Sequence, residues 1–541
     1  MVDNANLADR LEGFAALLDL NGSSFYTVRA YRRAAELIRS TPADVAALVR
    51  AGRARELAGI GPGIEARLRE LVETGRIAEL DELEAQALPE LVGVARLLGL
   101  SPARMRELGH ALGIRTLAEL RRAAAEGRLE GVRGVGPRTA ARIASGLQGL
   151  PEARPRRGML LNRALALVGE VAAALGGYPA GDPRRACELS SRLAVVVPSD
   201  SVSQASIEAL PQLVAILERD EQRVVGVTGD GHPIEIVAAP LHRLGTAWLR
   251  ATGPADYVAS LGPLPEVQTE EEVYAALDLP YRPPELRELG AADPPPDLLQ
   301  LGDVRGDLHV HTTASDGKAT VEEMGRAARE LGYAYIAICD HTRNVRVVPG
   351  LDGDGVRRQA EEIAAANEAL APFRILRGSE CDILPDGSLD LPDDVLAELE
   401  WVQISLHAGQ RASARELTKR VTEAMRHPAA SCLSHPKGRI LNHRPENALD
   451  LDEVFEVALE TGVALEVNGL PDRLDLSGAH VREALAAGVP VVCSTDAHSV
   501  RGLGNMALSV ATARRGGAPR GAVLNTRAWP SLDSSGAGSC R

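Results

Sequence analysis

The chain has 541 residues, a length that at about 150 residues per domain calls for three or four domains. Hydrophobic residues make up 45% and charged residues 25%, a balance that excludes a disordered, collagen-like or coiled-coil protein. The net charge of −14 argues against polyanion binding over the whole surface, and 3% aromatic residues are too few for base stacking to be the main grip on single strands.

The start, MVDNANLADR, lacks the basic and apolar regions of a signal peptide, and no run offers the roughly 20 apolar residues of a membrane span. The cysteines (Cys187, Cys339, Cys381, Cys432, Cys493, Cys540) form no CxxC pair, which suits reduced thiols and excludes a cysteine zinc finger. These features predict a cytoplasmic protein that does not enter membranes. Residues 1–150 read as short amphipathic helices, for example LADRLEGFAALLDL and VRAYRRAAELIRS, with no strand-like alternation. LAGIGPGIEARLREL (57–71) and VRGVGPRTAARIASGL (132–147) repeat an apolar-Gly-apolar-Gly-Pro core entering a helix. Both resemble helix-hairpin-helix motifs, in which glycines permit a tight turn and backbone N–H groups at a helix start face a DNA phosphate. Gly59, Gly61 and Gly63 would form the first, and Gly134, Gly136, Arg138 and Thr139 the second. A glycine cap between packed helices is the plain alternative for either one alone. Two in one region, flanked by Arg133, Arg138 and Arg142, favour DNA.

PEARPRR (151–157) reads as a linker. Residues 158–290 mix helices with strand candidates such as RLAVVVP and PIEIVAAP and close on TEEEVYAALDLP, an α+β unit. After the Pro-rich AADPPPDLL, residues 304–525 alternate apolar runs with amphipathic stretches: YAYIAICDH, FRILRGSECDIL, WVQISLHAG, SCLSHPKGR, VALEVNG and PVVCSTDAH. That rhythm predicts parallel strands and crossover helices. The Ser- and Gly-rich tail, residues 526–541, is expected to be frayed.

In the third unit histidines and carboxylates collect where apolar runs end: His309, His311, Asp316, His341, Glu380, His407, His435, Asp496 and His498. Side chains at the C-terminal ends of parallel barrel strands converge on one face, so ligands distant in sequence can share a site. In DLHVH and TDAH the paired groups are two apart and point the same way along an extended chain. Imidazole with carboxylate suits zinc, manganese or iron rather than a magnesium-only or calcium site. His110, His232, His242, His427, His443 and His480 carry no such pattern and read as ordinary surface or core residues. Lys437 and Arg439, just after His435, are candidate clamps for phosphate oxygens, or equally a solvated basic turn.

GDLHVHTTASDG, ICDHT, GSECDIL, SLHAG, SHPKGR, EVNGLPDRLDL and STDAHS resemble the PHP (polymerase and histidinol phosphatase) phosphoesterase domain over about residues 304–525. The resemblance implies a distorted (β/α)7 barrel with a cluster of three divalent metals, manganese or zinc, with iron as a further candidate. One metal would be held by His309, His311, Glu380 and Asp496, a second by Glu380, His407 and His435, and a third by Asp316, His341 and His498, with Glu380 bridging. His309, His311, Glu380 and Asp496, with Lys437 and Arg439, would then form the catalytic set. Phosphoester hydrolysis is the natural reaction of such a cluster.

FYTVRAYRRAAELI, the two hairpins, GDPRR, ATGPADY and EEVYAALDLPYRPPELRE extend the likeness to nearly the whole chain. They resemble the bacterial family X DNA polymerases that carry a C-terminal PHP domain, which implies a nucleotidyltransferase-like palm and thumb over 158–290. That family's palm shows Gly-Ser and then Asp-x-Asp, whereas here Asp182 takes the Ser position and Arg192 and Ala194 take the acidic ones. Glu235 in PIEIV is the surviving acid, and Glu188 and Asp200 are the ones a shifted register would recruit. Two-metal nucleotidyl transfer needs several carboxylates, so little or no templated synthesis is expected, and nucleotide binding by the palm stays open. The first lysine is Lys318, so the N-terminal helices cannot carry a lysine Schiff-base lyase. The leading expectation is a DNA-repair phosphodiesterase acting at 3′ ends of gapped, nicked or duplex DNA. A phosphomonoesterase and a non-catalytic DNA-binding scaffold are the alternatives.

Overall fold

The computed structural model describes residues 158–529 apart from 221, 229–231, 289–292 and 346–347, and before them chiefly 25–40, 45–57, 59–74, 102–114, 117–132 and 135–148. Two compact units divide the chain, Met1–Arg154 with Gly229–Gly231, and the remainder.

The N-terminal unit is helical, as its periodicity predicts. Ala34, Ala35 and Ile38 of helix Phe25–Ser40 lie one helical face apart and bury against Leu7, Leu11 and Phe14. Each repeat delivers its Gly-Pro into a helix start, Pro62–Thr74 and Pro137–Gln148. Proline suits that first position because its missing N–H has no partner there anyway. Leu108, Leu120, Leu129 and Ile143 form a separate core around the second repeat.

The second unit opens with the α+β part. Strands β1 (Met159–Leu160) and β3 (Leu189–Ser190) pair antiparallel. The others are β2 (Tyr178–Gly181), β4 (Leu193–Pro198), β5 (Leu213–Arg219), β6 (Arg223–Thr228) and β7 (Pro233–Ala239), which form one sheet in the order β2-β4-β7-β6-β5. The candidates RLAVVVP and PIEIVAAP are β4 and β7, its central parallel pair. Helix Leu161–Leu175 covers one face through Val168 and Val171, and helix Leu244–Thr252 covers the other through Leu244 and Ala251. Thr269 and Glu272 form a reciprocal capping box at the start of helix Glu270–Ala276.

Seven parallel strands follow in sequential order: β8 (Gly306–Val310), β9 (Tyr335–Ile338), β10 (Arg374–Asp382), β11 (Trp401–Ser405), β12 (Cys432–Leu433), β13 (Ala464–Asn468) and β14 (Val491–Ser494). The ends meet: Val310 bridges Ala497, and the His311 N–H donates to the Ala497 carbonyl at 2.9 Å. The result is a nearly closed barrel. All seven strands contribute to one apolar cluster, from Leu308 in β8 to Val492 in β14, as an interior does. Ile336 and Ile375 instead pack on the outer helices. Burial on both faces explains why these strands read as continuous apolar runs.

The palm and barrel, separate domains in the sequence reading, pack into one unit. Leu161 and Ala186 join Leu441, Leu474 and Leu508 in a shared apolar cluster. Arg439 pairs with Glu188 and Arg514 with Glu285, each at 2.8 Å. The first residues of the tail, 526–529, are ordered against the barrel. Thr526 is buried and the Trp529 ring lies 6.1 Å from that of Tyr335, because these side chains have apolar surface to bury. Residues 530–541 and the linker 151–157 lie outside the described residues.

Candidate metal centre

All nine expected ligands gather at the C-terminal ends of the barrel strands. Glu380 at the end of β10 is the hub. Its Oε1 lies 3.0 Å from His435 Nε2 and 3.4 Å from His407 Nε2, and its Oε2 lies 2.8 Å from His341 Nδ1 and 3.6 Å from both His309 Nε2 and His311 Nε2. Asp496 Oδ1 is 3.1 Å from His311 Nε2, and Asp316 Oδ1 is 3.3 Å from His498 Nε2 and 3.7 Å from His341 Nε2. Among the described residues three groupings have the reach to hold a cation: His309, His311 and Asp496; His341, Glu380 and His407; and His311, Asp316, His341 and His498. His341 and His311 thus each stand between two groupings.

Three features fit this donor set to cations. First, three of the imidazoles have their outward nitrogen engaged: His309 Nδ1 meets Glu466 Oε1 at 2.7 Å, His407 Nδ1 meets Asp382 Oδ1 at 3.2 Å, and His498 Nδ1 meets the Asp496 carbonyl at 2.8 Å. An Nδ1–H donated outward leaves the Nε2 lone pair facing the centre, as metal-ligating imidazoles require. Second, inward polar atoms crowd one another or lack partners. His309 Nε2 and His311 Nε2 face each other at 3.1 Å, and Glu380 Oε2 and His341 Nδ1 are buried without hydrogen-bond geometry despite their closeness. Buried polar atoms rarely stay unpaired unless an ion or water completes them. Third, the charges are unbalanced. Burial, with His498 and His341 nearby, pushes His311 down to about 4, whereas Glu380 and Asp316 outweigh burial at His341 and lift it to about 10. Cations would replace the protons this cluster competes for.

A surrounding layer, not read from the sequence, holds the ligands. Buried Asp340 accepts from the Thr312 N–H at 2.8 Å and from Gln359, which shapes the loop presenting Asp316. Asp307 accepts from the Thr495 N–H at 3.1 Å and ties β8 to the segment carrying Asp496. Burial raises the Asp307 carboxyl to about 7. Glu466 and Asp382 lay within the quoted motifs EVNGLPDRLDL and GSECDIL, and Asp382 follows Glu380 by two, the same-face spacing that singled out DLHVH.

The two basic candidates are corrected. Lys437 is buried and its Nζ donates to the Leu449 carbonyl at 2.8 Å. Arg439 is buried, donating to the Arg473 and Leu474 carbonyls and pairing with Glu188. A buried cation must satisfy its donors internally, which leaves neither free for substrate. Arg473 stands nearer the ligands instead, with Nε 3.9 Å from Asp496 Oδ2 and a buried Nη1 that has no partner.

In the palm, Ala194 pairs in register with Glu235 across β4 and β7, which fixes the alignment. Arg192 reaches Glu235 at 3.2 Å and Arg223 reaches it at 2.5 Å, so this carboxylate is held by two guanidiniums. Burial would raise the Glu235 carboxyl, but those arginines outweigh it and hold it below its ordinary value. Asp182 accepts from the Ser191 and Arg192 N–H groups, both at 2.8 Å, and pairs with Arg185, so it braces its own turn. Glu188 is engaged by Arg439, and Asp200 lies beyond the end of β4.

In the first hairpin, Gly59 has φ +106°, a conformation that favours glycine. Gly61 and Gly136 have ordinary φ, and a Cβ on either would meet nothing within 4 Å. Among the described residues nothing requires glycine at either position. Gly63 is exposed, Thr139 lies in the first turn of helix Pro137–Gln148, and Gly134 and the Arg138 side chain lie outside the described residues.

Comparisons with known proteins agree with this architecture. Family models match at residues 2–77 (Helix-hairpin-helix domain), 93–148 (SAM-like Helix-hairpin-helix tandem), 247–288 (DNA polymerase beta thumb) and 307–469 (PHP domain). A Bacillus subtilis (strain 168) protein named DNA polymerase/3'-5' exonuclease PolX is 30% identical over 97% of both chains. A protein of Acetivibrio thermocellus named Probable phosphatase is 30% identical over 36% of this chain and 78% of its own, and one of Syntrophotalea carbinolica with the same name is 31% identical over 30% and 64%. Among the described residues no helix is long and apolar enough to cross a membrane. With hairpins, thumb and PHP barrel in one order along nearly its whole length, the chain belongs to the bacterial family X DNA polymerases that carry a C-terminal PHP domain.

Proposed function

We propose that this protein is a metal-dependent phosphodiesterase that trims nucleotides from the 3′ ends of gapped or nicked DNA in the cytoplasm and performs no templated synthesis. One contrast carries the reading: eight ligand groups fall into cation-sized groupings in the barrel and His435 joins them through Glu380, while Glu235, facing Ala194 in the palm, is paired with both Arg192 and Arg223. Divalent cations, manganese or zinc before iron, would supply a hydrolytic nucleophile from water at neutral pH and compensate the phosphate charge. The side chains do the positioning. Glu466 and Asp382 fix the His309 and His407 rings, Glu380 joins the ligand groups, and Arg473 presents a guanidinium beside Asp496 for a nonbridging phosphate oxygen. The hairpins, with nothing among the described residues within 4 Å of a Cβ on Gly61 or Gly136, would dock the duplex through backbone phosphate contacts that carry no sequence preference.

A 3′-labelled gapped duplex incubated with Mn²⁺ tests this: the label should leave as nucleotide monophosphate. No product with any divalent metal would refute it. The relatives named Probable phosphatase support a second reading, phosphomonoester hydrolysis, and release of inorganic phosphate in place of nucleotide would select it. A non-catalytic scaffold would bind DNA equally well with His309→Ala and His311→Ala and show no hydrolysis in any form.

A further inference from the structure

Two exposed cations stand beside the ligand cluster without a role in it. The β8 and β14 segments run past their ligands into adjoining loops: Lys318 follows Asp316 by two residues, Arg501 follows His498 by three, and the Lys318 N–H donates to the His498 carbonyl at 2.8 Å. Between the loops lies an open cavity of about 470 Å³ lined by Lys318, Arg326, Ser499 and Arg501, with Glu323 and Glu330. Glu323 is occupied by the capping box with Thr320, and Arg326 pairs with Glu322. Glu330 ends helix Val321–Glu330, and no ion pair joins it to Lys318 or Arg501 among the described residues. Lys318 and Arg501, both exposed, have no carboxylate partner among the described residues.

Unpaired cations next to a phosphoester centre are positioned for anions. The hydrolysed phosphate belongs at the ligand cluster, so an anion in this cavity must be a second one on the same molecule. We infer that Lys318 and Arg501 bind the phosphate of the neighbouring nucleotide, which makes the cavity a strand subsite that favours polynucleotides over small esters. The inference rests on the phosphodiesterase reading and deepens it, because a phosphomonoester has no second phosphate to offer. Lysine and arginine both serve here, since one backbone phosphate needs charge more than fixed geometry.

The full-length, metal-loaded protein is compared with the Lys318→Ala/Arg501→Ala double variant on two substrates, a 3′-labelled single-stranded oligonucleotide and the p-nitrophenyl ester of thymidine 5′-monophosphate, which has one phosphate. The ratio of kcat/KM for the oligonucleotide to that for the ester should fall at least about tenfold, through KM. The slope of log KM against log salt should flatten by about 1.4, two contacts at roughly 0.7 each on single strands. Lys318→Arg should restore part of the ratio. Equal losses on both substrates, or an unchanged ratio and slope, would overturn the subsite. Wild-type protein that cleaves the ester and not the oligonucleotide would overturn the exonuclease reading itself, a result visible before any variant is compared.

Discussion

Glu466→Gln is the substitution that most directly probes how the ligand cluster is held. Glu466 Oε1 accepts from His309 Nδ1 at 2.7 Å, Gln403 Nε2 at 3.0 Å and Ser494 Oγ at 2.6 Å. Its Oε2 accepts from the His435 N–H at 2.6 Å, Ser434 Oγ at 2.9 Å and Asn468 Nδ2 at 3.2 Å. A glutamine must turn its NH2 toward one of these sets. The His435 backbone N–H cannot rotate away, so the NH2 would face His309. The His309 ring then has to accept through Nδ1, which places its proton on the inward Nε2 and removes that nitrogen as a ligand. Losing such an orienting partner costs about 10- to 100-fold in metal affinity, or about 1.4 to 2.8 kcal/mol. Leaving buried donors unmatched costs the metal-stripped fold about 1 to 3 kcal/mol as well. Competition titration against a chromophoric chelator, with thermal unfolding of stripped protein, separates the two effects. A variant that unfolds earlier yet binds metal within twofold of wild type would refute the argument that Glu466 sets the His309 tautomer.

Glu270, 1% exposed, accepts from Arg287 at 2.7 Å and Arg184 at 2.6 Å, and Glu270→Gln should destabilise the protein by about 3 to 5 kcal/mol. Burial would raise the Glu270 carboxyl, but Arg287 and Arg184 outweigh it and lower it. Its stabilisation is therefore complete above the unfolded value of about 4.3 and lost as pH falls through the folded one, so unfolding curves of variant and parent should converge in acid. Primer extension with Mg²⁺ or Mn²⁺ should show no nucleotide addition, and addition that Glu235→Gln abolishes would restore the palm as a polymerase. Glu188→Gln and Arg439→Gln should couple by about 0.5 to 3 kcal/mol in a double-mutant cycle of unfolding. Unchanged unfolding with a loss confined to oligonucleotide turnover would return Arg439 to substrate binding.

The barrel was legible because its strands are buried on both faces and break at residues that bind metals. Each apolar run from YAYIAI to PVVCS proved a strand, and the ligands sit where those runs end. The surrounding layer was not legible, because Glu466 meets His309 across 157 residues of sequence, a contact set by barrel closure rather than by any local pattern. Lys437 and Arg439 misled for the converse reason: closeness to His435 in sequence says nothing of direction, and the chain turns Lys437 onto the Leu449 carbonyl within the barrel and Arg439 toward Glu188 of the palm. The palm's loss of acids was visible at Arg192 and Ala194. Only strand register showed that Arg192 and Arg223 close on Glu235, since β6 carried no motif that marked it.

Metal content measured alongside DNA shortening tests the central claim most directly. Protein stripped with chelator and reloaded should retain up to about three ions per chain, the number of groupings of ligand side chains, and shorten a 3′-labelled gapped duplex in proportion to its loading, with Glu380→Gln losing both ions and activity. Shortening undiminished in the stripped protein, or a fully active chain that retains no ion, would contradict it.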